Sequence, residues 1–168
     1  MKFLELAEKR FSVRKFKNQP IEKEVLNSIL EANRFAPSAM NLQSQKIFVA
    51  QSEEALNVVK RFTISHYDAP CILIVGYDKE LITPDTEDYL LITDPAIALT
   101  HIMLQATEMG VGSVWVRSCD FDGLLYELKL PSTFVPMALM PLGYPSDDYV
   151  PSEKHFARKA LDEIVTYL

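Results

Sequence analysis

The chain has 168 residues, the size of one domain or slightly more, and 48% hydrophobic and 24% charged residues, a globular composition that excludes a disordered chain or a disulfide scaffold. Seventeen Lys and Arg against 23 Asp and Glu leave a formal charge of −6, which sets nucleic acid aside as a main partner. No apolar stretch approaches membrane-spanning length, and the N-terminus MKFLELAEKRF lacks the apolar core of a signal peptide. A single domain over residues 1–168, cytoplasmic and without membrane association, is the expectation.

In chain order, the first helix is expected from Phe3 to about Arg10. A second runs from about Glu22 to Phe35, with Val25, Leu26, Ile29, Leu30 and Ala32 at helical spacing. Pro37 closes it, because proline disfavours helix in the residue before it. Lys46–Ala50 reads as a strand. Ser52 suits the N-cap of a helix through Phe62, with Glu53 and Glu54 in its first turn. Cys71–Gly76 is a continuous apolar run, too short for a buried helix and suited to a central strand. The acidic segment from Tyr77 to about Tyr89, with Pro84, reads as a loop with some helix. Asp94 as N-cap and Pro95 at the first helical position then start the strongest helix, which Gly110 ends. Its residues Ala96, Ile97, Ala98, Leu99, Ile102, Met103, Leu104 and Ala106 leave little polar face.

Val114-Trp115-Val116 reads as a short strand entered through Gly112. A helix near Phe121–Lys129 follows. Pro136–Leu142 is another apolar run, ending at Gly143-Tyr144-Pro145. The tail from Pro151 is basic and then amphipathic. Helices thus alternate with four strand candidates. The pattern leaves α+β and α/β topologies open and favours a three-layer sandwich. A helix apolar on nearly every face needs more cover than so short a chain readily supplies, and a two-fold dimer is a natural source of it.

Self-contained catalytic devices are missing: there is no G-x-S-x-G elbow, no P-loop and no G-x-G-x-x-G. Cys71 and Cys119 lack metal-ligand spacing, and Cys71, in its apolar run, reads as a reduced core residue. His66, His101 and His155 lie far apart, so no metal site is expected; His101 reads as a core or interface residue. What stands out is charge. Lys9, Arg10, Arg14, Lys15 and Lys17 fall within nine residues free of acids, and Lys154, Arg158 and Lys159 within six near the other end. Such clusters are either solvated surface or an anion site, since phosphates need fixed donors and positive charge. With no evident nucleophile or metal, a phosphate-type cluster points to a borrowed cofactor.

Arg10-Phe11-Ser12-Val13-Arg14-Lys15-Phe16 resembles the R-x-S-x-R-x-F opening of the nitroreductase family of FMN-dependent oxidoreductases. Ala36-Pro37-Ser38-Ala39-Met40-Asn41-Leu42-Gln43 resembles its A-P-S-x-x-N-x-Q motif. Asp94–Trp115 is similar to its central helix and following strand, and Leu142–Pro145 followed by Arg158 to its C-terminal signature. The resemblance implies an α+β, three-layer α-β-α sandwich with a central, mostly antiparallel sheet, and an intertwined homodimer with FMN at the subunit interface. It implies that Arg10, Ser12 and Arg158 hold the FMN phosphate, with Phe11 beside them. Guanidinium forks match phosphate oxygens bidentately and a hydroxyl adds one bond. Arg14 would lie near N1 and O2 of the flavin, where a cation raises the flavin's potential. Pro37, Ser38, Ala39 and Asn41 would reach the ring and ribityl chain from the partner subunit, with Gln43 beside them. The backbone of Trp115, Val116, Arg117 and Ser118 would run beside the flavin, with a main-chain N–H directed at N5. By resemblance, NAD(P)H would donate hydride and a nitroaromatic, quinone or similar small acceptor would take it in a ping-pong cycle, with no essential acid–base side chain. Related readings are reductive dehalogenation, flavin degradation, or flavin binding or sensing without efficient turnover. Two departures stand out. Ser44-Gln45 replace a common Pro-Trp, and Phe156 stands where a lysine is common, with Lys154 or Lys159 as its substitutes. The chain also lacks the insertion that shapes the substrate pocket of longer members.

Overall fold

The computed structural model describes residues 2–82 and 88–168, and for 88–91 the backbone alone. Helices α1 (Phe3–Lys9), α2 (Lys23–Glu31), α3 (Glu53–Phe62), α4 (Asp88–Glu108), α5 (Phe121–Glu127) and α6 (Glu153–Phe156) alternate with strands β1 (Gln45–Ala50), β2 (Cys71–Asp78), β3 (Gly112–Ser113) and β4 (Phe134–Gly143). The four strands form one antiparallel sheet in the order β1-β2-β4-β3.

The two apolar runs, β2 and β4, lie side by side at its centre, with Cys71 opposite Leu142 and Leu73 opposite Met140. Successive side chains of a strand point to opposite faces. Cys71, Leu73, Val75, Ala138, Met140 and Leu142 therefore share one face, where α2 and α4 supply Leu26, Ile29, Leu99, Ile102 and Ala106. Ile72, Ile74 and Leu139 share the other, against Val59 of α3 and Leu124 of α5. Helices cover both faces, so the fold is α+β with three layers. Runs this continuously apolar need cover on both sides, which is why both faces carry helices.

Local signals place most boundaries. Ser52 caps α3, its Oγ accepting the Ala55 N–H at 3.1 Å. Gly110, at φ +76°, ends α4 in the left-handed conformation. The N–H groups of Gly110 and Val111 then return to the carbonyls of Thr107 and Ala106, closing the helix end. At Val75/Gly76 the β2–β4 register shifts, and the Val135 carbonyl passes where a Cβ on Gly76 would sit. Gly76 faces Pro136, which has no N–H for the ladder, so the bulge falls where pairing is already weakened.

α4 begins at Asp88, ahead of the expected Asp94–Pro95 start, and carries Pro95 inside it. Asp94, 4% exposed, caps nothing; its Oδ1 accepts the Ala39 N–H at 3.0 Å. A tertiary hydrogen bond has taken the carboxylate that local sequence assigns to a cap. An interior proline costs about 3 kcal/mol. Burial of the helix body offsets that, since Leu99 and Ile102 are wholly buried and such side chains contribute roughly 1.5–3 kcal/mol each. Of the segment expected as loop, Tyr77 and Asp78 continue β2, and Lys79–Leu81 make one 3₁₀ turn. Residues 83–87 lie outside the described residues. The expected strand Val114–Val116 is also displaced: β3 is Gly112–Ser113, and beyond it Val114 donates to Pro141 at 3.2 Å and Val116 to Leu139 at 2.9 Å. Pro141 has no N–H to return, so the ladder breaks there.

Candidate functional site

The segment after α1 is sewn along the end of β3 and the turn after β4. The Val13 N–H donates to the Ser113 carbonyl at 2.9 Å, and the Lys17 N–H to the Tyr144 carbonyl at 2.8 Å. The Ser146 N–H returns a bond to the Lys15 carbonyl at 3.0 Å. Val13 is buried and packs against Gly112, where a Cβ would collide with its side chain. With Val13 turned inward, its neighbours Ser12 and Arg14 face away from the core.

Four of the five cations of this segment divide by partner. Lys15 pairs with Asp148, and Lys17 with Asp147. Arg10 and Arg14 have no ion pair among the described residues. Both line a cavity of about 450 Å³ together with Phe11, Ser12, Lys154 and Arg158. The two ends of the chain therefore meet there. Ser152 and His155 complete the wall, which carries no acid. Arg10 is half-buried, and burial pushes its pKa below the ordinary arginine value, with the nearby Arg158 charge adding to the effect. Two guanidiniums held close without a counter-charge form an anion receptor.

Sequence reasoning named Arg10, Phe11, Ser12, Arg14 and Arg158, and all five line this cavity. It missed Tyr149 and His155. The Tyr149 hydroxyl donates to the Ser12 carbonyl at 3.1 Å, and its ring stacks on Phe11 at 6.1 Å. His155 meets Phe11 edge-on at 6.0 Å. These aromatics fix the backbone that presents Ser12. The histidine carried one faint signal, its place within a turn of Arg158. Phe156, at the position where the family commonly has lysine, is 71% exposed; of the two lysines weighed as substitutes, Lys154 lies on the cavity wall and Lys159 does not.

Pro37, Ser38, Ala39, Asn41 and Gln43 lie elsewhere, in a tight turn that does not line the cavity. Ser38 Oγ accepts the Gln43 N–H at 3.0 Å, and Asp94 holds Ala39. Met40, Asn41 and Gln43 all have positive φ, an uncommon cluster for residues other than glycine and a mark of a segment fixed by its surroundings. Trp115 packs on the α2–α4 side of the sheet, and Val116 is buried on the other. The Val116 N–H and carbonyl are both bonded to Leu139. Arg117 and Ser118 are exposed and line a second cavity of about 630 Å³. One chain therefore assembles the cation cluster and leaves the 37–43 turn and the 115–118 segment apart from it. Cys71 is a buried core thiol whose pKa is pushed up to about 12 by burial.

The nitroreductase family model matches residues 7–65 and 65–144. The chain belongs to the nitroreductase family. A nitroreductase family protein of Clostridium difficile 630 is 37% identical, with TM-score 0.89 over 99% of this chain and 98% of that one. A Methanothermobacter thermautotrophicus protein, whose name pairs NADH dehydrogenase with NAD(P)H nitroreductase, is 27% identical over 155 residues, 88% of this chain and 80% of that one. The structure of an FMN complex from Desulfovibrio desulfuricans shares the fold at TM-score 0.87 and 23% identity, over 98% of this chain and 95% of that one. Membership accounts for the α+β layering and the antiparallel sheet. It also makes this chain an oxidoreductase.

Proposed function

We propose that the chain is an FMN-dependent NAD(P)H oxidoreductase that reduces nitroaromatics, quinones or a similar small acceptor by a ping-pong mechanism. The observation that carries this is the half-buried Arg10 held beside Arg158, in a cavity shared with Arg14 and Lys154 and lined by no acid. That arrangement fits a phosphate ester: forked donors and one hydroxyl from Ser12, beside the rings of Phe11 and His155. Family membership and the FMN-bound relative of the same fold support the choice of phosphate ester. Bound FMN would supply the hydride-transfer chemistry that the side chains lack. Arg10, Ser12 and Arg158 would hold the phosphate, with Phe11 on the same cavity wall. Arg14, exposed and unpaired, is assigned to the ring, where positive charge favours added electrons. Arg117 and Ser118, whose N–H groups make no hydrogen bond among the described residues, supply the main-chain donor assigned to the flavin, with Trp115 and Val116 anchoring them.

The remaining assigned residues, Pro37, Ser38, Ala39, Asn41 and Gln43, come from a second copy in this reading. A broad depression of about 850 Å³, lined by Phe3, Leu6, Phe35, His101 and Leu104 among others, lies along the outward side of α4. Phe3 is 66% and Phe35 76% exposed. Leu161, Ile164 and Tyr167 of the tail are exposed too. Apolar surface on this scale marks an association site, and self-association in a two-fold dimer covers it. The reading also treats residues 1–168 as a single domain that completes its site by dimerisation.

The test is spectroscopic. Purified protein should show flavin absorption, release FMN on denaturation, and bleach on anaerobic addition of NADH or NADPH. A quinone or nitroaromatic should then restore the colour. Protein that stays colourless after incubation with FMN overturns the cofactor. Flavin that neither nucleotide reduces overturns the activity.

A further inference from the structure

The second cavity is separate from the phosphate cluster, and one of its charges has been left free. Its wall includes Lys60, Arg61, Phe62, Ile64, Arg117 and Asp120. Two of the three cations are occupied: Lys60 Nζ pairs with Asp68 at 2.9 Å, and Arg61 with Glu127. The acid on the wall is occupied as well, since Asp120 caps α5 and its Oδ1 accepts the Gly123 N–H at 3.2 Å. Arg117 alone of these has neither an ion pair nor a hydrogen bond among the described residues.

Its backbone is held firmly on both sides. Before it, Val116 exchanges two hydrogen bonds with Leu139, at 2.9 and 2.8 Å. After it, the Ser118 carbonyl accepts from Thr63 Oγ1 at 2.6 Å, and the Asp120 N–H donates to the Phe62 carbonyl at 3.0 Å. A guanidinium launched from fixed backbone loses less freedom on binding. Beside it stand the Phe62 ring and Ile64, the latter 92% exposed. One free fork next to apolar wall suits an organic molecule carrying an anionic group better than a bare inorganic ion.

We propose that Arg117, with Phe62 and Ile64, forms a subsite for an anionic group on one of the two substrates: a phosphate of the nicotinamide dinucleotide or a carboxylate on the acceptor. The proposal rests on the flavin reading above, because Arg117 and Ser118 belong both to the segment assigned to the flavin and to the cavity wall. A substrate at the flavin then extends along that wall, and Arg117 discriminates among substrates by their charge.

The experiment compares wild type with R117Q and R117K, and with K46Q, at the exposed Lys46 of β1, as a charge-matched control. Two readouts are taken. Calorimetry gives affinities for pyrophosphate, NAD⁺ and NADP⁺. Steady-state kinetics gives KM for NADH, NADPH, nitrobenzene and 4-nitrobenzoate. R117Q should weaken one anionic class by about tenfold, the scale of one charge-assisted contact, with R117K recovering part and K46Q matching wild type. Loss confined to pyrophosphate and the nucleotides assigns the subsite to the dinucleotide. Loss confined to 4-nitrobenzoate assigns it to the acceptor. If R117Q leaves every affinity and every KM within about twofold of wild type, the subsite is overturned. A wild type that binds pyrophosphate through Arg117 yet holds no FMN supports the subsite and overturns the flavin reading, so the two failures are distinguishable.

Discussion

Replacing Arg10 by Met keeps the length of the side chain and its apolar stem while removing the guanidinium. The structure sets the size of the effect through two opposing contributions. Arg10 is half-buried, so its bonds to a phosphate are partly shielded from water, and charge-assisted bonds of this kind contribute about 1.5–3 kcal/mol. Without an anion, however, Arg10 suffers desolvation and repulsion from Arg158, both of which depress its pKa. Methionine relieves those costs in the FMN-free protein. The loss of FMN affinity should therefore be about 2–3 kcal/mol, or roughly 30–150-fold, while the FMN-free variant is no less stable than wild type. Titrating FMN-free protein with FMN, followed by the quenching of flavin fluorescence, measures the first quantity; thermal unfolding of the same sample measures the second. Raising the salt concentration should weaken wild type more than R10M, because the variant has one fewer charge to screen. An R10M affinity within about threefold of wild type would refute the assignment of Arg10 to the phosphate.

Arg14→Met should slow flavin reduction by NAD(P)H or lower the flavin potential more than it weakens FMN binding, the reverse of R10M; equal loss of FMN in both variants contradicts that division of labour. Asp94→Ala frees the Ala39 N–H and removes a buried acceptor, and should cost about 2 kcal/mol, or roughly 4–8 °C in Tm for a domain of this size. An unchanged melting temperature would show that the 38–43 turn does not depend on it. Asp148 is held down to about 2 by its hydrogen bond to Lys15, then by Ser146. A depressed carboxylate stabilises the fold above its unfolded pKa, and that contribution fades as pH falls from about 4 through 2. Wild type should therefore lose more stability than D148N across that window in a Tm series against pH, and parallel curves would discount the pair.

Much of the fold was legible because its signals are local. The apolar runs Cys71–Gly76 and Pro136–Leu142 read as strands and became the central pair β2 and β4. Ser52 and Gly110 marked a helix start and a helix end through bonds that span only a few residues. The misplaced boundaries have one kind of cause. Asp94 was drawn into a bond with Ala39 from far along the chain, and the strand after Gly112 stopped because its partner across the sheet was Pro141. Neither partner lies within the window that local patterns cover.

Apolar periodicities, the Ser52 cap and the two cation clusters in an acidic chain follow from residue type and near spacing alone. Tertiary structure decided which of those cations remain free. Asp147 and Asp148 took Lys17 and Lys15, leaving Arg10 and Arg14 to face Arg158 from the opposite end of the chain. Likewise, on the second cavity wall Asp68 and Glu127 pair with Lys60 and Arg61, while Arg117 has no ion pair among the described residues. Charge is a property of composition, whereas an uncompensated charge depends on which acids the fold brings within reach.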